Sequence, residues 1–300
     1  MIISFNIVKS SNEKMLRRFG IAGVTVLFYP DEMLVDRINS YLDSLDILYV
    51  IDNSEESFLC ALGSLVDHNK IKYIYNHENL GIAQALNIAA DLALSGGYDF
   101  LLTMDQDSSF ETDKFEIFIG YLNKIDLKKV GILSPVHVHP KVKYRKPQFE
   151  IEKVKLVMTS GNLINLAIFR KVGNFMNELF IDHVDHEYCL RLRSKGYQVM
   201  IAGNILLNHS LGDFFRVGPQ NFTLFKFISH QPVRTYYMIR NGLFVARKYQ
   251  RTFPDFYRQN MVLTMKEVIK VIFEKEKIKR IRLILLAIRH YKTYRLGKLT

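Results

Sequence analysis

The stretch Leu101-Leu102-Thr103-Met104-Asp105-Gln106-Asp107-Ser108-Ser109 decides how the rest of the chain is read. Phe100, Leu101, Leu102 and Met104 form an apolar run bounded by polar residues, the pattern of a strand buried in a sheet. The run ends in two carboxylates at i and i+2, so Asp105 and Asp107 stand at the strand's C-terminal end. In open α/β sheets ligands bind outside the carboxyl ends of the strands, and paired carboxylates there can hold a hard divalent cation that bridges to a phosphate-bearing substrate. The plainer alternative is a strand followed by an Asp-rich turn that caps the next helix. Asp-x-Asp alone does not separate the two, so the neighbouring segments have to.

Upstream, Val24–Phe28 reads as a short β-branched strand closed by Tyr29-Pro30, after which Asp31 caps a helix with apolar positions Met33, Leu34, Ile38, Tyr41 and Leu42. Ile47–Ile51 is a second strand ending in Asp52-Asn53-Ser54, followed by a helix around Glu56–Val66 and a strand at Tyr73–Tyr75. Asn79-Leu80-Gly81 then opens an Ala-rich helix to about Leu94, which Gly96-Gly97 ends before Phe100–Met104. This β-α-β-α-β-α-β order predicts a mainly parallel, Rossmann-like sheet covered by helices on both faces. Asp52, Asn76, Asp105 and Asp107 all fall at strand C-termini, which converge on one crevice.

Nearly half of the 300 residues are apolar, enough for a substantial core. The early apolar stretch Met1–Val8 precedes Lys9, Lys14, Arg17 and Arg18, the wrong order for a signal peptide, and Ile281–Ile288 is too short to span a bilayer. Cys60 and Cys189 belong to no Cys-x-x-Cys pair and fit free thiols in a reducing cytoplasm. The net charge of +11 is local: residues 247–300 hold 15 Lys and Arg against four Asp and Glu, so the first 246 residues are close to neutral. With neither zinc-finger spacing nor an RNP-type aromatic motif, that charge does not indicate nucleic acid as a partner.

The runs Val-Thr-Val-Leu-Phe-Tyr-Pro-Asp (24–31), Val-Ile-Asp-Asn-Ser (50–54), Asn-Leu-Gly-Ile-Ala-Gln-Ala-Leu-Asn (79–87) and Met-Asp-Gln-Asp-Ser (104–108) together resemble the successive signatures of family 2 glycosyltransferases, nearest the rhamnosyltransferase-like branch. The resemblance spans roughly residues 24–245 and implies a GT-A fold whose first half binds a nucleotide-sugar, with Mg²⁺ or Mn²⁺ held by Asp105 and Asp107 on its diphosphate. It further implies that Phe28 lies near the base, that Asp52 accepts from the base's ring N–H, and that Asn79 and Asn87 flank the nucleotide, with Gly81 allowing close backbone approach. The alternatives are a helix N-cap for Asn79 and a solvated helix position for Asn87.

Val130–Ser134 reads as a fifth strand, and His137 to about Lys153 as an irregular insertion in which His137 and His139 are solvated. Leu156–Thr159 leads into Ser160-Gly161-Asn162-Leu163, which matches the family's acceptor-side strand, with Ser160 or Gly161 approaching the sugar. In Phe180-Ile181-Asp182-His183-Val184-Asp185-His186-Glu187-Tyr188-Cys189-Leu190-Arg191, the spacing of Val184, Tyr188 and Leu192 with Gly196 as a stop predicts a short amphipathic helix. By its residues alone this is a helix start: Asp182 caps, Asp185 favours the dipole and Glu187 pairs with Arg191. Leu190 stands where a zincin would need its second His. The resemblance assigns the catalytic carboxylate to Asp185.

Gln198–Ala202 and Ile205–Asn208 read as further strands ending in His209-Ser210-Leu211-Gly212, and the resemblance makes His209 the third protein ligand of the cation; mixed oxygen and nitrogen ligation suits Mn²⁺ as well as Mg²⁺. Arg234-Thr235-Tyr236-Tyr237-Met238-Ile239-Arg240-Asn241 is similar to the family's Arg-x-Tyr-Tyr-x-x-Arg-Asn stretch, where Arg234 and Arg240 would clamp phosphate; surface or salt-bridged arginines are the alternative. From Met261 the chain is helical in pattern and basic, with apolar positions Ile269, Ile272, Phe273, Ile281, Leu285 and Ile288. Such a tail suits an anionic membrane face, or packs on the catalytic domain with its basic side in water.

These readings divide the chain into a lead-in (1–22), a GT-A domain (23–245) and a basic helical tail (246–300). They predict an inverting, metal-dependent transferase that moves a sugar, L-rhamnose from a dTDP donor, onto a saccharide or lipid-linked acceptor of a bacterial surface glycan. It would act in the cytoplasm, peripheral to the inner membrane face. The alternatives are an inactive nucleotide-sugar or membrane-binding module and a nucleotidyltransferase, although Tyr29-Pro30-Asp31-Glu32 lacks the Gly- and Lys-rich loop the latter needs.

Overall fold

The computed structural model describes residues 19–138, 149–209, 214–217, 225–228 and 230–299. The N-terminal stretch through Arg18, His139 and Ser210–Gly212 lie outside the described residues. The first half alternates β1 (Ile21–Leu27), α1 (Leu34–Leu42), β2 (Ile47–Asp52), β3 (Ile71–Tyr75), α2 (Ile82–Ser95) and β4 (Phe100–Asp105). Then follow β5 (Ser108–Phe110), α3 (Lys114–Gly120), β6 (Val130–Val138), β7 (Ile151–Val154), β8 (Asn162–Asn165), α4 (Leu166–Val172), α5 (Val184–Ser194) and β9 (Gln198–His209). A hairpin of β10 (Phe214–Val217) and β11 (Phe225–Ile228) leads to α6 (Pro232–Tyr249), α7 (Pro254–Lys270) and α8 (Lys277–Lys292).

One nine-stranded sheet runs β3-β2-β1-β4-β8-β6-β9-β5, with β7 also on β9. Its first four strands are parallel, as the alternating pattern predicts, whereas β8 enters antiparallel to both β4 and β6 and makes the second half mixed. Both faces are covered, so β1 is buried along its whole length and shows no polar alternation. Val24 and Val26 meet the alanine-rich side of α2, whose Ala83, Ala89, Ala90 and Ala93 bring helix and sheet close; Ile21 and Leu27 face Leu34, Ile38 and Leu42 of α1.

Register levels the strand ends. Leu27 pairs with Asp52 and Val26 with Asp105, so Phe28, Asp52 and Asp105 emerge along one edge. The antiparallel pairing of Ser108 with His209 folds the end of β9 back beside Asp107.

Several elements differ from expectation for identifiable reasons. Residues 56–66 form a 3₁₀ turn, Leu59–Leu65, because the Asp52 carboxylate captures Phe58 N–H and Gly63 adopts φ +49°. The insertion predicted over 137–153 contains the end of β6 and the start of β7, which pairs with β9. The two strands expected around 198–208 are one strand whose register against β6 jumps between Pro135 and Val136. Asp31 accepts from Met33 N–H and pairs with Arg37 one turn ahead of α1, which itself begins at Leu34.

The boundary expected at 245/246 falls inside α6, which packs against α5, α7 and α8. On α8 the buried positions are Arg280, Ile284, Ala287 and His290, while Ile281 and Leu285 of the apolar pattern are exposed and Ile288 is half-buried. The two inward polar residues have their bonds satisfied. Arg280 reaches Thr235 Oγ1, the His230 carbonyl and Glu274, and His290 Nδ1 lies 2.7 Å from the Tyr236 hydroxyl.

Candidate active site

Asp105 leaves the end of β4, Asp107 begins the turn into β5, and His209 ends β9 opposite Ser108. One ligand atom from each lies within 4.8 Å of the others. His209 Nδ1 is 3.2 Å from Asp107 Oδ1 and 2.8 Å from Ser108 Oγ, while Asp107 Oδ1 is buried without a hydrogen-bond partner. Burial, aided by the Asp107 and Asp185 charges and opposed by His209 and Arg234, pushes the Asp105 carboxyl up to about 6. For His209, burial acts against the charged form, but the adjacent Asp107 carboxylate and the charge of Asp105 outweigh it and raise the imidazole. Two carboxylates repelling each other beside an imidazole, with one oxygen orphaned, fit a divalent cation of the Mg²⁺ or Mn²⁺ kind. Ser160 Oγ accepts from Asp105 N–H, and Gly161, at φ +78°, packs where a Cβ would strike Pro135. Both are buried and support the carboxylate loop.

On the other flank Phe28 is 46% exposed and forms an edge-to-face row with Tyr29 and Phe58, an aromatic wall suited to a nucleobase. Gln106 secures this wall, accepting from Phe28 N–H at 2.7 Å and donating to its carbonyl at 3.0 Å. The sequence reading passed over Gln106, whose one signal was its place between the two aspartates. Asp52 is fully buried: its carboxylate accepts from Ser54 N–H, Phe58 N–H and the Tyr73 hydroxyl at 2.9, 2.7 and 2.6 Å. In this arrangement it organises the loop behind the wall; Oδ2 takes two of the three bonds and Oδ1 one, so the acceptor site left is on Oδ1, in a carboxylate closed off from solvent.

Asn79 accepts from Gly81 N–H, shaping the turn into α2 without capping it. Gly81 has φ +84°, and a Cβ there would collide with Phe180, whose carbonyl accepts from Ile82 N–H. Its close approach is therefore to the 180–183 segment and not to open space on the nucleotide side. Asn87 is neither solvated nor in the crevice: it is buried, donating to the Phe175 carbonyl and Asn177 Oδ1 and accepting from Phe175 N–H.

The third flank is that 180–183 segment, where Phe180, Asp182 and His183 all have φ between 63° and 64°. Left-handed backbone costs roughly 1–3 kcal/mol for each non-glycine residue and persists only where neighbours enforce it. Asn241 Nδ2 supplies the enforcement, donating to the Leu179 and Ile181 carbonyls at 2.7 Å each. Asp182 pairs with Arg234 at 3.2 Å and leaves Oδ2 buried without a partner; α5 starts after His183 with no side-chain cap, so Asp182 is not the cap expected of it. Burial raises the Asp182 carboxyl, against the pull of Arg234. Asp185 is half-buried, one oxygen on His186 N–H, and its charge is felt by Asp105, Asp182 and His137. Glu187 is turned away, buried with Arg191, Lys248 and Tyr249.

Two further expectations change. His137 is no solvated loop residue: Nε2 lies 2.7 Å from the Ser160 carbonyl, the ring meets that of His209 edge-on at 6.1 Å, and burial lowers the imidazole to about 4. It is therefore a neutral wall of the crevice. Arg240, paired with Arg234 as a phosphate clamp, is 1% exposed and bonded to Gly297 O, Tyr236 Oη and Asn241 Oδ1. Arg234 is exposed, pairs with Asp182, and its charge acts to lower the Asp105 carboxyl against burial.

An aromatic wall, a candidate cation trio at the strand ends and a half-buried carboxylate at the start of α5 are parts that a transferase acting on a nucleotide-activated group would use. Residues 29–195 match Glycosyl transferase family 2; with more than half of its length matched, the chain belongs to that family and is a glycosyltransferase. It is 27% identical over 243 residues to the dTDP-rhamnosyl transferase RfbF of Shigella flexneri, covering 76% of this chain and 80% of RfbF. The structure of S. aureus TarS 1–349 in complex with UDP-GlcNAc matches 92% of this chain and 81% of that one, with a TM-score of 0.59 at 11% identity. GalNAc-T7 with UDP, GalNAc and Mn²⁺ matches 64% of this chain and 44% of that one, with a TM-score of 0.53 at 13% identity, so the chain spans under half of the GalNAc-T7 chain. At such identities these likenesses establish the fold, which is GT-A.

Proposed function

We propose that this glycosyltransferase is inverting and metal-dependent, and that it moves L-rhamnose from dTDP-rhamnose to a saccharide or lipid-linked saccharide acceptor of a bacterial surface glycan, at the cytoplasmic face of the membrane. Asp105, Asp107 and His209, with one ligand atom of each within 4.8 Å of the others at the strand ends, carry the reading, and the half-buried Asp185, whose charge bears on Asp105 and Asp182, supports the assignment of the base. Phe28, Tyr29 and Phe58 receive the base, with the loop that Asp52 and Asn79 shape behind them. Asp105, Asp107 and His209 would hold Mg²⁺ or Mn²⁺, which when bound offsets charge on the diphosphate. Asp185 takes the proton of an acceptor hydroxyl as its oxygen bonds to the anomeric carbon, and the carbon–oxygen bond to the diphosphate breaks with its electron pair leaving on phosphate. The Arg234–Asp182 pair joins a half-exposed guanidinium to a largely buried carboxylate, and a phosphate oxygen of the donor would compete with Asp182 for that guanidinium.

Donor choice rests on the likeness to RfbF, whose name states a dTDP-rhamnosyl donor. Turnover of dTDP-rhamnose, UDP-GlcNAc and UDP-galactose with Mn²⁺ tests it. Preferential use of dTDP-rhamnose is expected, and preference for a UDP-sugar contradicts the donor assignment.

A further inference from the structure

The outward faces of the C-terminal helices are apolar. On α7, Val262, Met265 and Ile269 fall at helical spacing on one stripe that Ile272 continues, and on α8, Ile278, Ile281 and Leu285 do the same; all seven are between 50% and 71% exposed. Scattered exposed aliphatics need no explanation, but two full stripes on consecutive helices that both pack on α6 do. The opposite sides of both helices are already used, through Phe256 and Asn260 on α7 and Ile284 and Ala287 on α8.

Charge identifies the occupant. The carboxylates of this region, Asp255, Glu267, Glu274 and Glu276, each pair with a lysine or arginine of the same region. Lys266, Lys277, Arg282, Arg289 and Lys292 are exposed and have no carboxylate partner among the described residues. Arg282 and Arg289 stand one turn beyond Ile278 and Leu285, flanking the apolar stripe. A second copy laid on this face would press like charges together, whereas an anionic bilayer neutralises the cations and takes up the aliphatic tips. No described helix is long and apolar enough to cross a membrane, which fits lying on the surface.

We infer that the α7–α8 face, centred on Ile269, Ile281 and Leu285, docks on an anionic lipid surface and thereby presents the acceptor side of the crevice to a lipid-linked substrate. This rests on the membrane-proximal acceptor proposed above. The face is joined to the site: Arg280 of α8 donates to Thr235 Oγ1 at 2.9 Å, and the adjacent Arg234 pairs with Asp182.

The test is flotation of the full chain with vesicles of phosphatidylcholine alone and with phosphatidylglycerol added. Binding to the anionic vesicles alone is expected, weakening with salt. The variant I269E/I281E/L285E should bind at least about tenfold more weakly while retaining its melting temperature and its turnover of donor in solution. Should that variant fail to fold, K277E/R282E/R289E leaves the aliphatics in place and should lose the anionic preference. Undiminished binding by folded variants of both kinds overturns the inference. So does light scattering that shows the wild type, free of vesicle binding, as a dimer that I269E/I281E/L285E renders monomeric, because a second copy would then cover the face. Donor turnover is read separately, so its absence counts against the proposed function and not against the docking face.

Discussion

Gln106 grips the backbone of Phe28 with both ends of its amide, at 2.7 and 3.0 Å, so the residue between the two candidate metal ligands also sets the aromatic wall of the nucleotide side. Arg37 adds a bond to the Gln106 carbonyl at 3.2 Å and is itself anchored on Asp31. The candidate cation site and the aromatic wall are thereby built on one turn. Two exposed hydrogen bonds contribute about 0.5–1.5 kcal/mol each. Gln106→Ala should therefore raise the donor KM roughly tenfold with a smaller change in kcat, as steady-state kinetics would read. An unchanged KM would show that the wall stands without the clamp.

Excess EDTA should abolish transfer, and Mg²⁺ or Mn²⁺ should restore it. Asp107→Ala should lose metal-dependent donor binding in calorimetry without lowering the melting temperature, because removing Asp107 also relieves its repulsion of Asp105. Full activity in the chelator would exclude this role for the trio.

The two arginines of the Arg-x-Tyr-Tyr-x-x-Arg-Asn stretch should behave oppositely. Arg240→Ala breaks a buried network reaching Tyr236, Asn241 and Gly297, and should cost more than about 2 kcal/mol in denaturant unfolding. Arg234→Ala should leave unfolding nearly unchanged and lower turnover. The reverse pattern would mean that Arg240 moves to the substrate.

Burial, with the neighbouring His186 charge, depresses the His183 imidazole to about 3, although it would titrate near 6.5 in the unfolded chain. Between those values the unfolded state binds the extra proton, so this residue's stabilisation is present above about pH 6.5 and is lost as pH falls, by about 1.4 kcal/mol per pH unit. Asn tolerates the left-handed φ of 63°, so His183→Asn should unfold with a shallower acid dependence than the wild type. Equal slopes would show that His183 is not buried neutral.

The sequence made the parallel half-sheet and its edge legible, because runs such as Val24–Phe28 and Phe100–Met104 end in residues that register then levels. What it concealed depended on contacts made far along the chain. Arg234 and Arg240 lie six residues apart on one helix and so cannot face the same way, yet the motif presents them as equals. His137 looked loose among prolines until the Ser160 carbonyl fixed it. Asp52 and Asn87 had the types of ligand-binding residues, but long-range partners, Tyr73 and Phe175, had already engaged them. On α8 the inward Arg280 and His290 are polar, so an apolar count finds the outward stripe of Ile281 and Leu285 and not the packed side.

The central claim is that Asp185 is the base, and the carboxylates around it supply the comparison. Asp182, with its orphaned oxygen, is the nearest competitor, and Glu187 is committed to Arg191 and Lys248. A positioned base contributes about 10²–10⁴-fold. The decisive measurement is single-turnover transfer by Asp185→Asn, Asp182→Asn and Glu187→Gln, each with donor affinity measured in parallel. The account predicts a loss of at least about a hundredfold for Asp185→Asn alone, with donor affinity and fold retained. Near-normal transfer by Asp185→Asn beside an inactive, folded Asp182→Asn would contradict it and move the base to Asp182.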